Sequence, residues 1–138
     1  MISSTQRNLS RRQWLAALGV LALFATTASA VRAEERKVVR LTVDYGDGVQ
    51  KVFSALPWKE MTTVFAALQA AEKHPRGIKV EHQGSGATTL VTTIDGTENQ
   101  GRGSNWIFEV NGKLGEKSCA LVELKPGDAV LWRFGDYR

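Results

Sequence analysis

Thr62-Thr63-Val64-Phe65-Ala66-Ala67-Leu68-Gln69-Ala70-Ala71-Glu72-Lys73-His74 runs up to Pro75. Val64, Ala67, Leu68 and Ala71 fall at i, i+3, i+4 and i+7, one apolar stripe, which predicts a helix over residues 62–74. Thr62 is the expected N-cap, because its hydroxyl can accept an orphan backbone N–H. Pro75 ends the helix near His74.

On both sides of this segment the period changes to two. Val39, Leu41, Val43 and Tyr45 alternate with Arg40, Thr42 and Asp44, the pattern of a half-buried strand. Gly46-Asp47-Gly48 reads as a turn, and Val49–Ala55 as the returning strand. After the helix, Ile78, Val80 and His82 alternate with Lys79, Glu81 and Gln83. Thr88–Ile94 is β-branched and reads as strand. Residues 95–105 are polar. Trp106, Phe108 and Val110 then alternate, Asn111-Gly112 marks a hairpin, Lys125-Pro126-Gly127-Asp128 a turn, and Ala129–Phe134 a closing strand. One helix cannot cover both faces of a sheet. The expected fold class is therefore α+β, a β-grasp-like mixed sheet packed on one side by residues 62–74.

The first thirty residues read as a leader rather than as structure. Arg7, Arg11 and Arg12 precede Trp14–Ala25, twelve residues without a polar side chain. That run is too short to span a bilayer, which takes about 20 residues, and it suits a signal-peptide core. Ala28-Ser29-Ala30 is an A-x-A cleavage site, and Val31-Arg32-Ala33 is a poorer one. Residues 1–30 are thus expected to be removed, with cleavage after Ala30 or Ala33, leaving one domain over 34–138. Arg11-Arg12-Gln13-Trp14-Leu15 resembles a twin-arginine export signal; the general secretory route is the alternative. The expected location is periplasmic or secreted, without stable membrane insertion after cleavage.

The leader also accounts for most of the charge. The whole chain carries +4, residues 1–30 carry +3, and residues 31–138 hold 15 basic and 14 acidic side chains. No basic patch argues for nucleic acid. A single cysteine, Cys119, excludes an internal disulfide framework and a Cys-ligated iron–sulfur cluster. Cys119 stands beside Ala120, Leu121 and Val122 and is expected to be buried.

Chemistry-bearing constellations are scarce. His74 and His82 are the only histidines, and zinc needs three or four ligands. His82 is expected on the apolar side of its strand. Ser85 lies between glycines, but Gly-x-Ser-x-Gly is not formed. Asp95-Gly96-Thr97-Glu98-Asn99 fails the calcium-loop pattern, because Gln100 and Trp106 stand where glycine and the last acid belong; it reads as a solvated loop. No catalytic set, metal site or resident cofactor is expected. The candidate ligand-binding residues are Gly84, Ser85, Gly86 and Gly103, whose backbone can approach a flat ligand, with Asn105 and Trp106 beside them. Trp58, next to Pro57, joins them as a candidate ligand-binding residue, because it is the tryptophan expected to be most exposed. Trp106 and Trp132 also fit a core.

Residues 38–135 carry a set of ordered pieces: Val43-Asp44-Tyr45-Gly46-Asp47-Gly48, Met61-Thr62-Thr63-Val64, Gly84-Ser85-Gly86, Ile94-Asp95-Gly96, Asn105-Trp106-Ile107-Phe108, Val110-Asn111-Gly112 and Gly127-Asp128 with Leu131-Trp132. In this order they resemble the transcobalamin-like carboxy-terminal domain family (DUF4430), which has a β-grasp fold. In animal cobalamin carriers such a domain covers a corrinoid held against a separate helical barrel. The resemblance implies a non-catalytic binding module with a small-molecule ligand of corrinoid type. The alternative is a protein–protein interaction module in a cell-envelope assembly, lending a sheet edge to a partner.

Overall fold

The apolar alternation around Val39 becomes the centre of a five-stranded sheet. A computed structural model describes residues 37–137, which belong to a compact unit spanning Lys37–Arg138. The expected leader, with Arg11, Arg12, Ala28 and Ala30, lies outside the described residues. The elements are β1 (Val38–Asp44), β2 (Gln50–Pro57), α1 (Val64–Glu72), β3 (Val80–Gln83), β4 (Leu90–Ile94), β5 (Thr97–Glu98), β6 (Asn105–Val110), β7 (Lys113–Leu114) and β8 (Ala129–Gly135). The large sheet has the order β2-β1-β8-β6-β7. β1 and β8 run parallel at its heart, and every other pair in it is antiparallel. The fold is thus mixed α+β, mostly strand with one α-helix among the described residues.

Val39, Leu41 and Val43 are wholly buried, as the alternation requires. With Val130, Trp132 and Trp106 from β8 and β6 they form one buried face, and α1 packs on its β1–β2 side through Val64, Ala67, Leu68 and Ala71. In β2 the buried residues are Phe53 and Leu56, three apart. Their partners on β1, Leu41 and Val39, are two apart, so β2 carries an extra residue. That bulge explains why its sequence alternates poorly.

The helix is shorter than expected, and its cap is Thr63 rather than Thr62. Thr63 Oγ1 accepts the Ala66 N–H at 3.1 Å. Thr62 instead closes a turn onto Lys59, donating its hydroxyl to the Lys59 carbonyl at 2.7 Å. The remaining orphan donors are met across the fold: Val64 N–H donates to Val122 O at 2.9 Å and Phe65 N–H to Cys119 O at 3.0 Å. The helix N-terminus is therefore already occupied by backbone carbonyls.

The region expected to extend the main sheet forms a second sheet instead, β3-β4-β5. Residues 86–88 make a short 3₁₀ turn, so β4 starts at Leu90 rather than Thr88. Within the stretch expected to be a solvated loop, Thr97–Glu98 pairs with β4. His82 is exposed rather than buried, although its ring rests against Phe65, and the pairing with β4 slips between Glu81 and His82. Among the described residues no helix is long and apolar enough to cross a membrane.

Candidate functional site

The residues singled out in the sequence are dispersed. Trp58 follows β2 and is half-buried; its indole N–H donates to Leu124 O at 2.8 Å. It walls a groove of about 400 Å³ with Pro57, Ala66 and Ala70. The Gly84–Gly86 loop lines none of that groove. Gly84 has φ +72°, and a Cβ there would lie 2.2 Å from Thr88 O, so the turn itself demands glycine. Asn105 fastens the 101–104 loop, accepting from Gly101 N–H at 2.9 Å and donating to Gly101 O at 2.9 Å. Gly103 and Asn105 share a shallow groove with Arg102 and Tyr137. Trp106 is the second residue of β6 and is only 5% exposed. Its indole N–H donates to Thr97 O at 2.7 Å, and its backbone N–H to Asn99 Oδ1 at 2.7 Å.

Trp106 does, however, form part of the wall of a cavity of about 270 Å³. Thr89, just before β4, and Leu90 and Val91 at its start contribute one side. β6 adds Trp106, Ile107 and Phe108, β8 adds Trp132, and the connection from Gly115 to Cys119 closes one side. Register explains the aromatic wall. Phe108 pairs with Trp132 across β6 and β8, their rings 5.3 Å apart. Gly115 is required by that wall, since a Cβ there would lie 2.2 Å from the Phe108 ring. Ser118 ties the connection to the candidate glycine loop, donating to Gly86 O at 2.9 Å.

Two groups in this cavity have unusual chemistry. Trp132 is 2% exposed, and its Nε1–H has no hydrogen-bond partner. Leaving such a donor buried and unmet costs about 1–3 kcal/mol. Cys119 is buried, and that burial pushes its thiol up to about 11. It is a neutral thiol near pH 7, with little thiolate for nucleophilic attack. Phe108, Gly115, Cys119 and Trp132 were not legible as neighbours in the sequence; the pairing of β6 with β8 brings Phe108 to Trp132, and the 115–119 connection folds Gly115 and Cys119 beside them.

Elsewhere the polar groups are structural. His74 Nδ1 accepts the Arg76 N–H at 3.1 Å, and its ring meets Phe53 edge-on. His82 meets Phe65 in the same way. Among the described residues no group of three or more His, Cys, Asp or Glu is placed to hold a metal.

Comparison with known proteins adds the following. A family model described as "Domain of unknown function (DUF4430)" matches residues 62–136, more than half of the 138. Among solved structures, a candidate metal-binding protein from Ruminococcus gnavus is 18% identical, with a TM-score of 0.58 over 73% of this chain and 99% of that one. Haptocorrin in complex with Cbi is 13% identical, with a TM-score of 0.64; the match covers 73% of this chain and 25% of haptocorrin. At such identities the likeness concerns the fold. No curated protein matches the sequence.

Proposed function

The chain belongs to the DUF4430 family, and from that premise we propose that it is an exported, non-catalytic binding module for a small molecule of corrinoid type. The observation that carries the binding reading is the half-open pocket beside β8, whose wall includes Trp106, Phe108 and Trp132. Haptocorrin, solved with Cbi, supports the ligand class. This chain spans a quarter of haptocorrin's length, so a corrinoid would meet here only part of the surface available there. A corrin macrocycle is far larger than about 270 Å³. It would lie across the mouth, against the exposed Leu90 and Tyr137, with at most a projecting group inside.

The non-catalytic part of the reading is supported by dispersion. Ser85, His74 and His82 line none of the cavity that holds Cys119, and Cys119 is a neutral thiol. Titrating the full chain with a corrinoid while following tryptophan emission tests the proposal. Saturable quenching is the expected result; unchanged emission at large excess overturns the corrinoid reading.

A second reading has its own observation. β2 is an edge strand, with Val49 and Val52 exposed and a groove of about 510 Å³ along it walled by His74 and Arg76. An extended segment of an envelope protein could add there as a further strand. Substituting Val52 with proline would remove a ladder donor from that edge, and partner capture from envelope extract should fall with it.

A further inference from the structure

We propose that the β2 edge takes an extended peptide segment of acidic character, which pairs alongside it as a further strand and turns its acidic side chains toward the α1 side. The proposal rests on the strand-addition reading and specifies the chemistry of the partner.

The backbone comes first. β2 has a neighbour on one side only, β1. Tyr45 N–H donates to Val49 O at 3.1 Å, and Lys51 and Phe53 lie opposite Val43 and Leu41. By the alternation of an antiparallel ladder, Val49, Lys51 and Phe53 turn their backbone groups to β1, and Gln50 and Val52 turn theirs outward. The bulge lies beyond Phe53, so this part of the edge is regular. Natural edges are commonly guarded by a charge or a proline. Here Lys51 is the only charged residue of β2, its ammonium is held 3.0 Å from the Asp95 carboxylate, and Pro57 stands at the far end of the strand.

The charges beside the edge then set the sign of the partner. The groove along β2 is lined by Lys51 and Arg76, and the groove at Trp58 by Lys59 and Lys73. The two grooves adjoin, since Leu56 and His74 line the first and their chain neighbours Pro57 and Lys73 line the second. No aspartate or glutamate lines either one, although residues 31–138 hold nearly equal numbers of acids and bases. Lys59, Lys73 and Arg76 form no ion pair among the described residues. The His74 ring meets Phe53 edge-on and its Nδ1 accepts the Arg76 N–H at 3.1 Å, which anchors Arg76 beside the strand. A second copy of β2 would bring like charges together, which disfavours a self-paired dimer. In an added strand, every other side chain shares the face of Lys51 and Phe53, where acids would meet these cations. The side chains between them share the face of Val52, 48% exposed, where a β-branched residue packs well.

The test uses the full chain and two synthetic peptides of about six residues, an ordinary strand length. One alternates glutamate with valine, the other lysine with valine. Affinity is read from the anisotropy of a dye on the peptide, and the place of binding from hydrogen exchange of the Gln50 and Val52 amides. The glutamate peptide should bind saturably, slow exchange at both amides, and bind about tenfold more tightly than the lysine peptide, as expected of two or three exposed ion pairs. Arg76→Glu, at an exposed position, should remove most of that preference. Val52→Pro should weaken both peptides. Equal affinity for the two peptides, a preference unchanged in Arg76→Glu, binding without protection of the edge amides, or a dimer formed through β2 would each overturn the proposal. If neither peptide binds while Val52→Pro still lowers partner capture from envelope extract, the strand-addition reading stands and only the acidic assignment falls. If Val52→Pro changes neither capture nor peptide binding, both fall.

Discussion

Asp95 and Trp132 mark two regions that use their polar groups in opposite ways. Asp95 sits between β4 and β5 in the left-handed region, φ 48°. Its carboxylate accepts the Tyr45 hydroxyl, the Lys51 ammonium at 3.0 Å and the Lys79 N–H at 2.9 Å. Its own N–H donates to Lys79 O at 2.8 Å. One side chain thus joins the end of β1, the start of β2 and the entry to β3. Around Trp132 the walls are aromatic, the space is open, and a buried donor is unmet. The first region is finished by folding alone. The second leaves a pocket and an unmet indole donor where the first leaves neither.

The largest effect should come from dismantling the joint. Asp95→Ala removes three accepted hydrogen bonds and places alanine at positive φ, and should cost about 2–3 kcal/mol in urea unfolding. Asp95→Asn, which tolerates that conformation and keeps one acceptor, should cost about 1 kcal/mol. Equal losses for the two would mean that the joint matters only for its backbone shape.

The same substitution at two tryptophans sharpens the contrast. Trp106→Phe strands Thr97 O and shrinks a core ring, and should cost about 2 kcal/mol or more. Trp132→Phe loses the same volume but also removes an unmet donor, so its cost should stay within about 1 kcal/mol. If Trp132→Phe proves the more damaging, its N–H is satisfied in solution and the contrast fails.

Acidity offers a smaller probe of the joint. Partial burial pushes the Asp95 carboxyl up, but the bonds from Tyr45, Lys79 and Lys51 outweigh it and hold the value below the ordinary 3.8. The folded state therefore binds this proton less readily than the unfolded chain. Its contribution is complete above about pH 4 and is lost as pH falls through the lower native value. Asp95→Asn should flatten that part of the stability–pH curve. At the cavity, Cys119 gives the smallest effect: its burial predicts slow labelling by a thiol reagent at pH 7 and rapid labelling once the chain is unfolded.

How much of this could be read in advance depended on the range of the interaction. The stripe Val64, Ala67, Leu68, Ala71 and the alternation Val39, Leu41, Val43 are local, and both are buried as the sequence requires. The Asn111-Gly112 hairpin is equally local, with φ of 51° and 80°. Asp95 reads as a loop residue because its partners lie 16, 44 and 50 positions away. Trp58 is the least buried of the described tryptophans, as expected, but the Leu124 carbonyl that accepts its N–H lies 66 positions away and was not legible. The glycine loops read as a ligand cradle, whereas the geometry shows Gly84 meeting the needs of its own turn.

Periodicity, turn chemistry and composition by themselves determined the α+β class and the buried stripe of the helix, because each depends on neighbours within a few residues. Only the tertiary structure decided that β1 and β8 pair in parallel, that the middle of the chain forms a second sheet, and that Phe108, Cys119 and Trp132 enclose one space. Whether a donor is met depends on which distant carbonyl the fold brings to it. Of two buried tryptophans, Trp106 thereby donates to Thr97 O while the Trp132 donor is left unmet.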